Sequence, residues 1–152
     1  MTPDSIVSDY DKDQFDLDVF PVDLGGNVFG WTANEAESFT NEGLSSLPYF
    51  ALAKGFLTGK YRPNSKVQSA RAESARAYLT EKGLRVLAAL DEVAAEQIAP
   101  VASVALAWLA AQPTVVAPIA SARTLNQLAE IMRSAEIHLS VAQLRKLSDA
   151  SA

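Results

Sequence analysis

Arg123 directly precedes a predicted helix, at a position where an anion is expected rather than a cation. In VVAPIASARTLNQLAEI (115–131), residues 115–119 predict a short buried strand, and Thr124 with Gln127 forms the pattern of a capping box with Thr124 as the N-cap. The first turn of a helix has unpaired N–H groups and partial positive charge, so a guanidinium beside it is mildly unfavourable. The pattern therefore favours an anion bound by the helix end and Arg123 together.

Charge is segregated along the chain, whose net charge is −5. Residues 1–53 contain ten acids and a single base, Lys12, whereas residues 54–85 contain eight bases and two acids. The basic middle segment favours phosphate groups, and the acidic amino-terminal region argues against general nucleic-acid binding. The alternative is that both segments are ordinary solvated surface.

Composition restricts the class of protein. With 152 residues, of which 49% are hydrophobic, the chain can bury one core and does not have a disordered composition. It has no cysteine, which excludes disulfides and thiolate chemistry. The longest apolar stretch, Ile98 to Ala111, is too short to cross a bilayer, and the acidic amino terminus is not typical of a signal or transit peptide. We therefore expect a cytoplasmic protein with no membrane partner.

Strand and helix patterns alternate, which predicts an α/β protein with a parallel sheet. Residues 1–16 are predicted to form a flexible acidic tail, and residues 17–152 a single domain. The helix predicted over 71–96 has an apolar stripe formed by Leu84, Leu87, Ala88 and Ala94. Strands are predicted at 18–26, 44–53 and 114–120, and helices at 32–43, 71–96, 100–111, from 125 and from 140. Ser140 and Gln143 form the pattern of a second capping box, which opens the last of these helices.

Several of these segments resemble the aldo/keto reductase family. DLDVFPVDLGGNVFGWTANEAESF (16–39) is similar to the amino-terminal segment of bacterial members. LPYFALAKGFLTGKYR (47–62), VALAWLAAQPTVVAPIASARTLNQLAEI (104–131) and LSVAQLRKLSDAS (139–151) resemble the carboxy-terminal third. The family folds as a (β/α)8 TIM barrel, which needs roughly 250 residues. The resemblance therefore implies a partial barrel that retains strands equivalent to 1, 7 and 8 with their helices, joined at an internal junction near residues 39–41.

The resemblance also implies an NADP(H) site without a Rossmann fold. Gly26 and Asn27 are expected near the nicotinamide ribose, and Arg123 faces the 2′-phosphate, which supplies the missing anion. Because half the site is missing, weak or partial binding is expected. The loop after strand seven is expected to wrap the pyrophosphate with Leu52, Ala53, Lys54, Gly55, Leu57, Thr58 and Lys60. The loop after strand eight and its helix are expected to hold the adenosine and its 2′-phosphate with Ile119, Ala120, Ser121, Arg123, Gln127 and Glu130.

No catalytic residue is predicted in this chain. The family reduces carbonyls with a Tyr acid, a Lys, an Asp and a His, and the resemblance assigns all four positions to the missing segment. His138 is expected to be a solvated residue, Tyr49 a core residue of a strand and Trp108 a core residue. Gly55 and Gly59 are expected either to approach a phosphate or simply to form the turn. No metal-ligand cluster is expected.

Three functions remain open from the sequence. The chain could be an oxidoreductase polypeptide of this family whose activity needs residues that it lacks. It could instead be a non-catalytic nucleotide-binding or protein-interaction module, or an internally deleted remnant. Exposed edges on strands one and seven also predict self-association, because unpaired edges are templates for strand pairing.

Overall fold

The computed structural model describes residues 45–152. The predicted tail, the strand and helix over 18–43, the junction near 39–41, and Gly26 and Asn27 lie outside the described residues. Five α-helices follow one another in the described part: α1 (Ala72–Arg76), α2 (Glu81–Glu96), α3 (Val101–Ala110), α4 (Leu125–Met132) and α5 (Val141–Ser151). Two 3₁₀ segments, Ala53–Thr58 and Arg133–Glu136, complete the regular structure of this part.

The helix predicted over 71–96 is interrupted between α1 and α2. Thr80 has an extended conformation, and its side chain accepts a hydrogen bond from the backbone N–H of Gly83, so it starts a new helix as an N-cap. The carbonyl of Tyr78 packs so closely against Gly83 that a Cβ at this position would overlap with it. The prediction of one continuous helix is therefore wrong, because the chain turns back over the first turn of α2.

The two predicted capping boxes are formed to different extents. The Ser140 side chain accepts from the N–H of Gln143, whose own side chain accepts from the N–H of Ser140, so this box at the start of α5 is complete. At the start of α4, the Thr124 side chain accepts from the N–H of Gln127 at 3.3 Å. The Gln127 side chain, however, accepts from Arg123 and not from Thr124.

The described core is centred on α3, which is largely buried, and on the buried face of α2. Trp108 lies in it with 4% of its surface exposed, which confirms the prediction for that residue. The apolar stripe predicted for α2 is partly wrong, because Leu84 and Ala88 are exposed. The buried face of α2 instead follows the helical spacing of Val86, Leu87, Ala89, Leu90, Val93 and Ala94.

The predicted strands are much shorter in the structure than in the sequence analysis. Within residues 45–152 there is one isolated parallel bridge, between Ser46 and Val115, and no longer strand. Pro48 has no N–H to extend the ladder, and the chain turns over residues 49–52. Tyr49 lies in that turn with 54% of its surface exposed, so its prediction as a core strand residue is wrong.

The length and apolarity of the helices in the described part decide whether they could cross a membrane. None of its helices is by itself long and apolar enough to span a bilayer. Helices α2 and α3 reach the necessary length and apolarity only when taken together, and they are bent by 99° at the break between them.

Candidate functional site

Two loops leave the parallel bridge at the same end. The N–H of Ser46 donates to the carbonyl of Thr114 at 2.7 Å, and the N–H of Val116 donates to the carbonyl of Ser46 at 3.0 Å. Further along, the N–H of Ile119 donates to the carbonyl of Pro48 at 3.0 Å. Since the two segments run parallel in this register, the loop that follows Pro48 and the loop that follows Ile119 start side by side. In parallel α/β proteins the carboxyl ends of strands are where ligands bind.

The first loop contains a run of left-handed backbone. Leu52 (φ −106°, ψ 19°) is followed by Ala53, Lys54 and Gly55 with φ of 46°, 59° and 92°. Two of these three residues are not glycine, so the loop holds a conformation that L-residues adopt rarely. A run of this kind can turn successive N–H groups toward an anion. Here the N–H groups of Ala53 and Gly55 already donate to the carbonyls of Phe50 (2.7 Å) and Leu52 (2.8 Å).

Hydrogen bonds inside the first loop fix this conformation. The carbonyl of Leu52 accepts from the N–H groups of Gly55 (2.8 Å) and Leu57 (3.2 Å). The hydroxyl of Thr58 donates to the carbonyl of Gly55 at 2.8 Å. Leu57 is buried at 2% exposure and anchors the loop in the core, so it acts as a support and is not in contact with solvent. Ala53 is buried in the same way.

The first loop presents two lysines beside aromatic rings. The ammonium of Lys54 lies 5.8 Å from the ring centroid of Phe50, and that of Lys60 lies 5.1 Å from the ring centroid of Tyr61. Cation–π contacts of this kind hold an ammonium in place without neutralising its charge. The sequence analysis missed Phe50 and Tyr61 as supports, although the position of Tyr61 between Lys60 and Arg62 was a usable signal.

The second loop carries Arg123 to the start of α4. Arg123 is exposed, and its backbone N–H donates to the side-chain oxygen of Gln127 at 2.9 Å. Thr124 accepts from the N–H of Gln127, so two N–H groups of the helix start already have partners within the chain. The anion site predicted here therefore depends on the guanidinium of Arg123 and on the helix dipole more than on these two N–H groups.

The remaining predicted residues of the second loop lie on its exposed surface. Ile119 is 48% exposed and Ala120 is half-buried. Ser121 and Glu130 are exposed, and the backbone carbonyl of Glu130 accepts from the hydroxyl of the buried Ser103 at 2.6 Å. This contact ties α4 to α3, so the helix behind Arg123 has a fixed position relative to the core.

The titratable groups with altered pKa values lie away from both loops, between α2 and α5. A hydrogen bond from Gln143, with the charge of Lys146, holds the pKa of Glu96 below its usual range. A hydrogen bond to Glu92 raises the pKa of Lys146. The two ion pairs of Lys146 measure 2.9 Å to Glu92 and 3.5 Å to Glu96. This cluster joins two helices and contains none of the predicted site residues.

Among residues 45–152, the side chains that could act as general acids either make contacts within the fold or are exposed to solvent. Tyr61 is fully buried and its hydroxyl is 2.7 Å from that of Ser69, while Tyr78 stacks on Phe56 at 5.6 Å. His138 is exposed, which confirms its prediction as a solvated residue. Among residues 45–152 no group of three or more metal-ligating side chains comes together.

A groove of about 680 Å³ is lined by α5 alone, through Val141, Ala142, Arg145, Lys146 and Asp149.

Within residues 45–152, the helices surround a core from which one parallel bridge starts two adjacent loops. The sequence matches the aldo/keto reductase family over residues 34–152. The chain belongs to the aldo/keto reductase family.

Relatives and solved structures agree with this assignment. An uncharacterized oxidoreductase of Bacillus subtilis (strain 168), YrpG, is 36% identical over 108 residues, which are 70% of this chain and 32% of that protein. A probable voltage-gated potassium channel subunit beta of Arabidopsis thaliana is 30% identical over 105 residues, or 65% of this chain and 32% of that protein. The chain thus spans about a third of the length of these curated relatives.

Two solved structures are similar to the described fold. A thermostable aldo-keto reductase in complex with the inhibitor epalrestat has a TM-score of 0.52 and 25% identity, and covers 76% of this chain and 32% of its own. The glycerol dehydrogenase of Gluconobacter oxydans has a TM-score of 0.61 and 20% identity, and covers 77% of this chain and 37% of its own. A partial TIM barrel fits this overlap, since the similarity covers about a third of each complete chain.

Proposed function

We propose that the chain binds NADP(H) across the two adjacent loops and derives from an NADP-dependent oxidoreductase. The single observation that supports this is the parallel bridge of Ser46 with Val115, followed by the hydrogen bond from the N–H of Ile119 to the carbonyl of Pro48, which starts both loops side by side. The exposed cations in both loops suit phosphate groups, and the left-handed run places Gly55 beside the ammonium of Lys60.

The residues present fit a phosphorylated dinucleotide. Lys54 and Lys60 would contact the pyrophosphate, and Gly55 would allow the backbone to approach it. Arg123, on the second loop, would bind the 2′-phosphate, because a guanidinium matches phosphate geometry and α4 starts directly behind it. When bound, NADPH supplies the hydride for carbonyl reduction.

We propose specifically that this chain binds the cofactor but does not itself catalyse carbonyl reduction. Within residues 45–152 the buried Tyr61 hydroxyl is hydrogen-bonded to Ser69, and the exposed His138 has its Nδ1 3.1 Å from the carbonyl oxygen of Glu136. A general acid has to lie within hydrogen-bond reach of its substrate oxygen. We expect the purified chain to bind NADPH but not to oxidise it with an aromatic aldehyde. NADPH consumption at 340 nm with a rate of about 1 s⁻¹ would refute this.

Isothermal titration calorimetry with NADP⁺ and NAD⁺ tests the binding proposal. The wild-type chain should prefer NADP⁺, and Arg123→Gln should lose about tenfold in NADP⁺ affinity, because one charge-assisted hydrogen bond contributes about 1.5 kcal/mol. NAD⁺ affinity should stay unchanged. Arg145→Gln is the matched control, since Arg145 is an exposed arginine on α5, outside both loops. Equal affinities for both nucleotides in all three proteins would refute the proposal.

A further inference from the structure

A guanidinium packs directly against Gly59, the residue that ends the 3₁₀ segment of the first loop. Gly59 has φ of +75°, and a Cβ at this position would lie 2.9 Å from a terminal nitrogen of Arg62 and 3.6 Å from the side chain of Val101. The carbonyl of Gly59 accepts a hydrogen bond from Nε of Arg62 at 2.8 Å. The missing Cβ at Gly59 therefore makes room for the Arg62 side chain, apart from any approach of a phosphate.

The same guanidinium joins the first loop to helix α2. Its two terminal nitrogens donate to the two carboxylate oxygens of Asp91 at 2.7 and 2.8 Å, and both side chains are half-buried. An isolated ion pair at a surface contributes little to stability. A planar guanidinium that is held by a carboxylate at two points and by a carbonyl at a third, however, has a single orientation. Arg62 is consequently fixed relative to α2, and Gly59 is fixed with it.

Lys60 lies between the two residues that this contact fixes, since it follows Gly59 and precedes Arg62 by two positions. Tyr61 is fully buried, and the ammonium of Lys60 lies 5.1 Å from its ring centroid. The Lys60 side chain folds back along the loop, so that its Nζ would be 3.6 Å from a Cβ at Gly55. The backbone of this exposed lysine is therefore held at the end of the loop, while its ammonium reaches the left-handed turn near the start.

Fixing the backbone of a lysine matters for the binding of an anion. A lysine side chain has many rotamers, and an anion that binds a freely moving ammonium loses affinity to the ordering of that side chain. At Lys60, the contact of Arg62 with Gly59 and Asp91 and the ring of Tyr61 order the side chain before any ligand binds. Asp91 lies on α2 and reaches Lys60 only through Arg62.

We propose that Asp91 and Arg62 form a positioning pair for Lys60, and that this pair sets how strongly the first loop binds a pyrophosphate group. Arg62 is engaged by Asp91 and Gly59, so it acts through the backbone of the loop and does not touch the ligand. The consequence for NADP(H) rests on the function proposed above. A direct effect of charge has the opposite sign, because removal of the Asp91 carboxylate makes the surface less negative and by itself strengthens anion binding.

Nuclear magnetic resonance of isotope-labelled methyl groups tests the placement of Lys60 without any nucleotide. Reductive methylation introduces these groups on the lysine amines of the full chain and keeps their charge. Lys60→Arg and Lys66→Arg assign the two signals that are compared. The ring current of Tyr61 should displace the Lys60 signal upfield of the signal of the exposed Lys66. In Asp91→Asn, the Lys60 signal should move towards that of Lys66.

The matched control is Glu92→Gln, which removes the same charge from the next residue of α2. Glu92 pairs with Lys146 at 2.9 Å and not with Arg62, so the Lys60 signal should keep its wild-type position. Arg62→Gln breaks the positioning pair from its other side and should displace the Lys60 signal as Asp91→Asn does, which decides the test if one of the two variants does not fold. A Lys60 signal at its wild-type position in a folded variant of Asp91 or Arg62 would overturn the proposal.

Calorimetric titration with inorganic pyrophosphate tests the consequence for binding. Asp91→Asn should bind about fivefold more weakly than wild type, because ordering one lysine side chain costs about 1 kcal/mol, which is about fivefold in affinity. Glu92→Gln should bind at least as tightly as wild type. Unchanged or tighter binding by Asp91→Asn would overturn the proposal, since the loss of charge alone predicts that result.

Coupling to Lys60 separates positioning from a general loss of structure. In Lys60→Gln the ammonium is absent, so Asp91→Asn/Lys60→Gln should bind pyrophosphate like Lys60→Gln alone. Additive losses in the double variant would contradict the proposal, because they would assign the effect of Asp91 to another part of the protein.

The two proposals can fail separately. Absence of NADP⁺ and pyrophosphate binding in every protein, with the Lys60 signal displaced in Asp91→Asn, would refute the proposed function and uphold the placement of Lys60. Preferential NADP⁺ binding by wild type, with the Lys60 signal unmoved in Asp91→Asn, would overturn the positioning pair and leave the proposed function standing.

Discussion

Gly55→Ala tests the left-handed backbone of the first loop, on which the proposed phosphate site depends. Gly55 has φ of +92°, where an L-residue is strained. An added Cβ would meet the ammonium of Lys60 at 3.6 Å and a ring carbon of Tyr61 at 3.8 Å, which are ordinary contacts. The substitution therefore causes no overlap, and its cost comes from the backbone.

The expected loss follows from two opposing effects. Left-handed backbone costs an alanine about 1–2 kcal/mol, while the smaller conformational freedom of its unfolded chain returns about 0.4–1 kcal/mol. We expect Gly55→Ala to lower the free energy of unfolding by about 1 kcal/mol, which corresponds to about 4 °C in Tm for a chain of this size. Pyrophosphate affinity should fall as well, because the loop loses its shape.

Urea denaturation followed by circular dichroism measures the change in stability. The matched control is Lys54→Gly, since Lys54 has φ of 59° and a glycine there removes strain. That variant should be at least as stable as wild type, although it loses a cation and should bind pyrophosphate more weakly. A Gly55→Ala protein as stable as wild type, or a Lys54→Gly protein that is clearly less stable, would refute the left-handed conformation of this loop.

Four further predictions concern stability and assembly. Gly83→Ala should destabilise the chain by more than Gly55→Ala, by about 2 kcal/mol or more, because its Cβ would overlap the carbonyl of Tyr78; thermal unfolding compares the two. The lowered pKa of Glu96 stabilises the folded state above pH 4.5, and this contribution is lost as pH falls through the folded pKa. Gln143→Leu removes the hydrogen bond that lowers this pKa, so it should reduce the loss of stability on acidification. The raised pKa of Lys146 acts in the opposite direction: its contribution to stability is complete below pH 10.5 and is lost as pH rises through the folded pKa. Lys146→Gln should abolish this loss of stability at alkaline pH, which urea titrations measure. Sedimentation velocity at micromolar concentration should detect self-association, and a monomer at every concentration would contradict the prediction from the strand edges.

Local signals in the sequence determined the helix starts and much of the core. Ser140 and Thr124 were predicted as N-caps because a hydroxyl three residues before a glutamine satisfies an unpaired N–H wherever the helix is placed. Trp108 was predicted in the core because α3 is apolar on every side, so no packing arrangement leaves it in water. The family assignment likewise came from short sequence segments, and the match over residues 34–152 confirmed it.

Only the tertiary structure decided the loop geometry and the extent of the strands. Tyr49 has a strand-like sequence environment, but Pro48 ends the ladder and the chain turns, which exposes its ring. The helical pattern continues through 77–80, yet the carbonyl of Tyr78 packs on Gly83 and a new helix starts at Thr80. The positive φ at Lys54 is a third case, since no residue type predicts it. These features depend on contacts between distant or competing groups, and a sequence pattern records only the local preference that such contacts override.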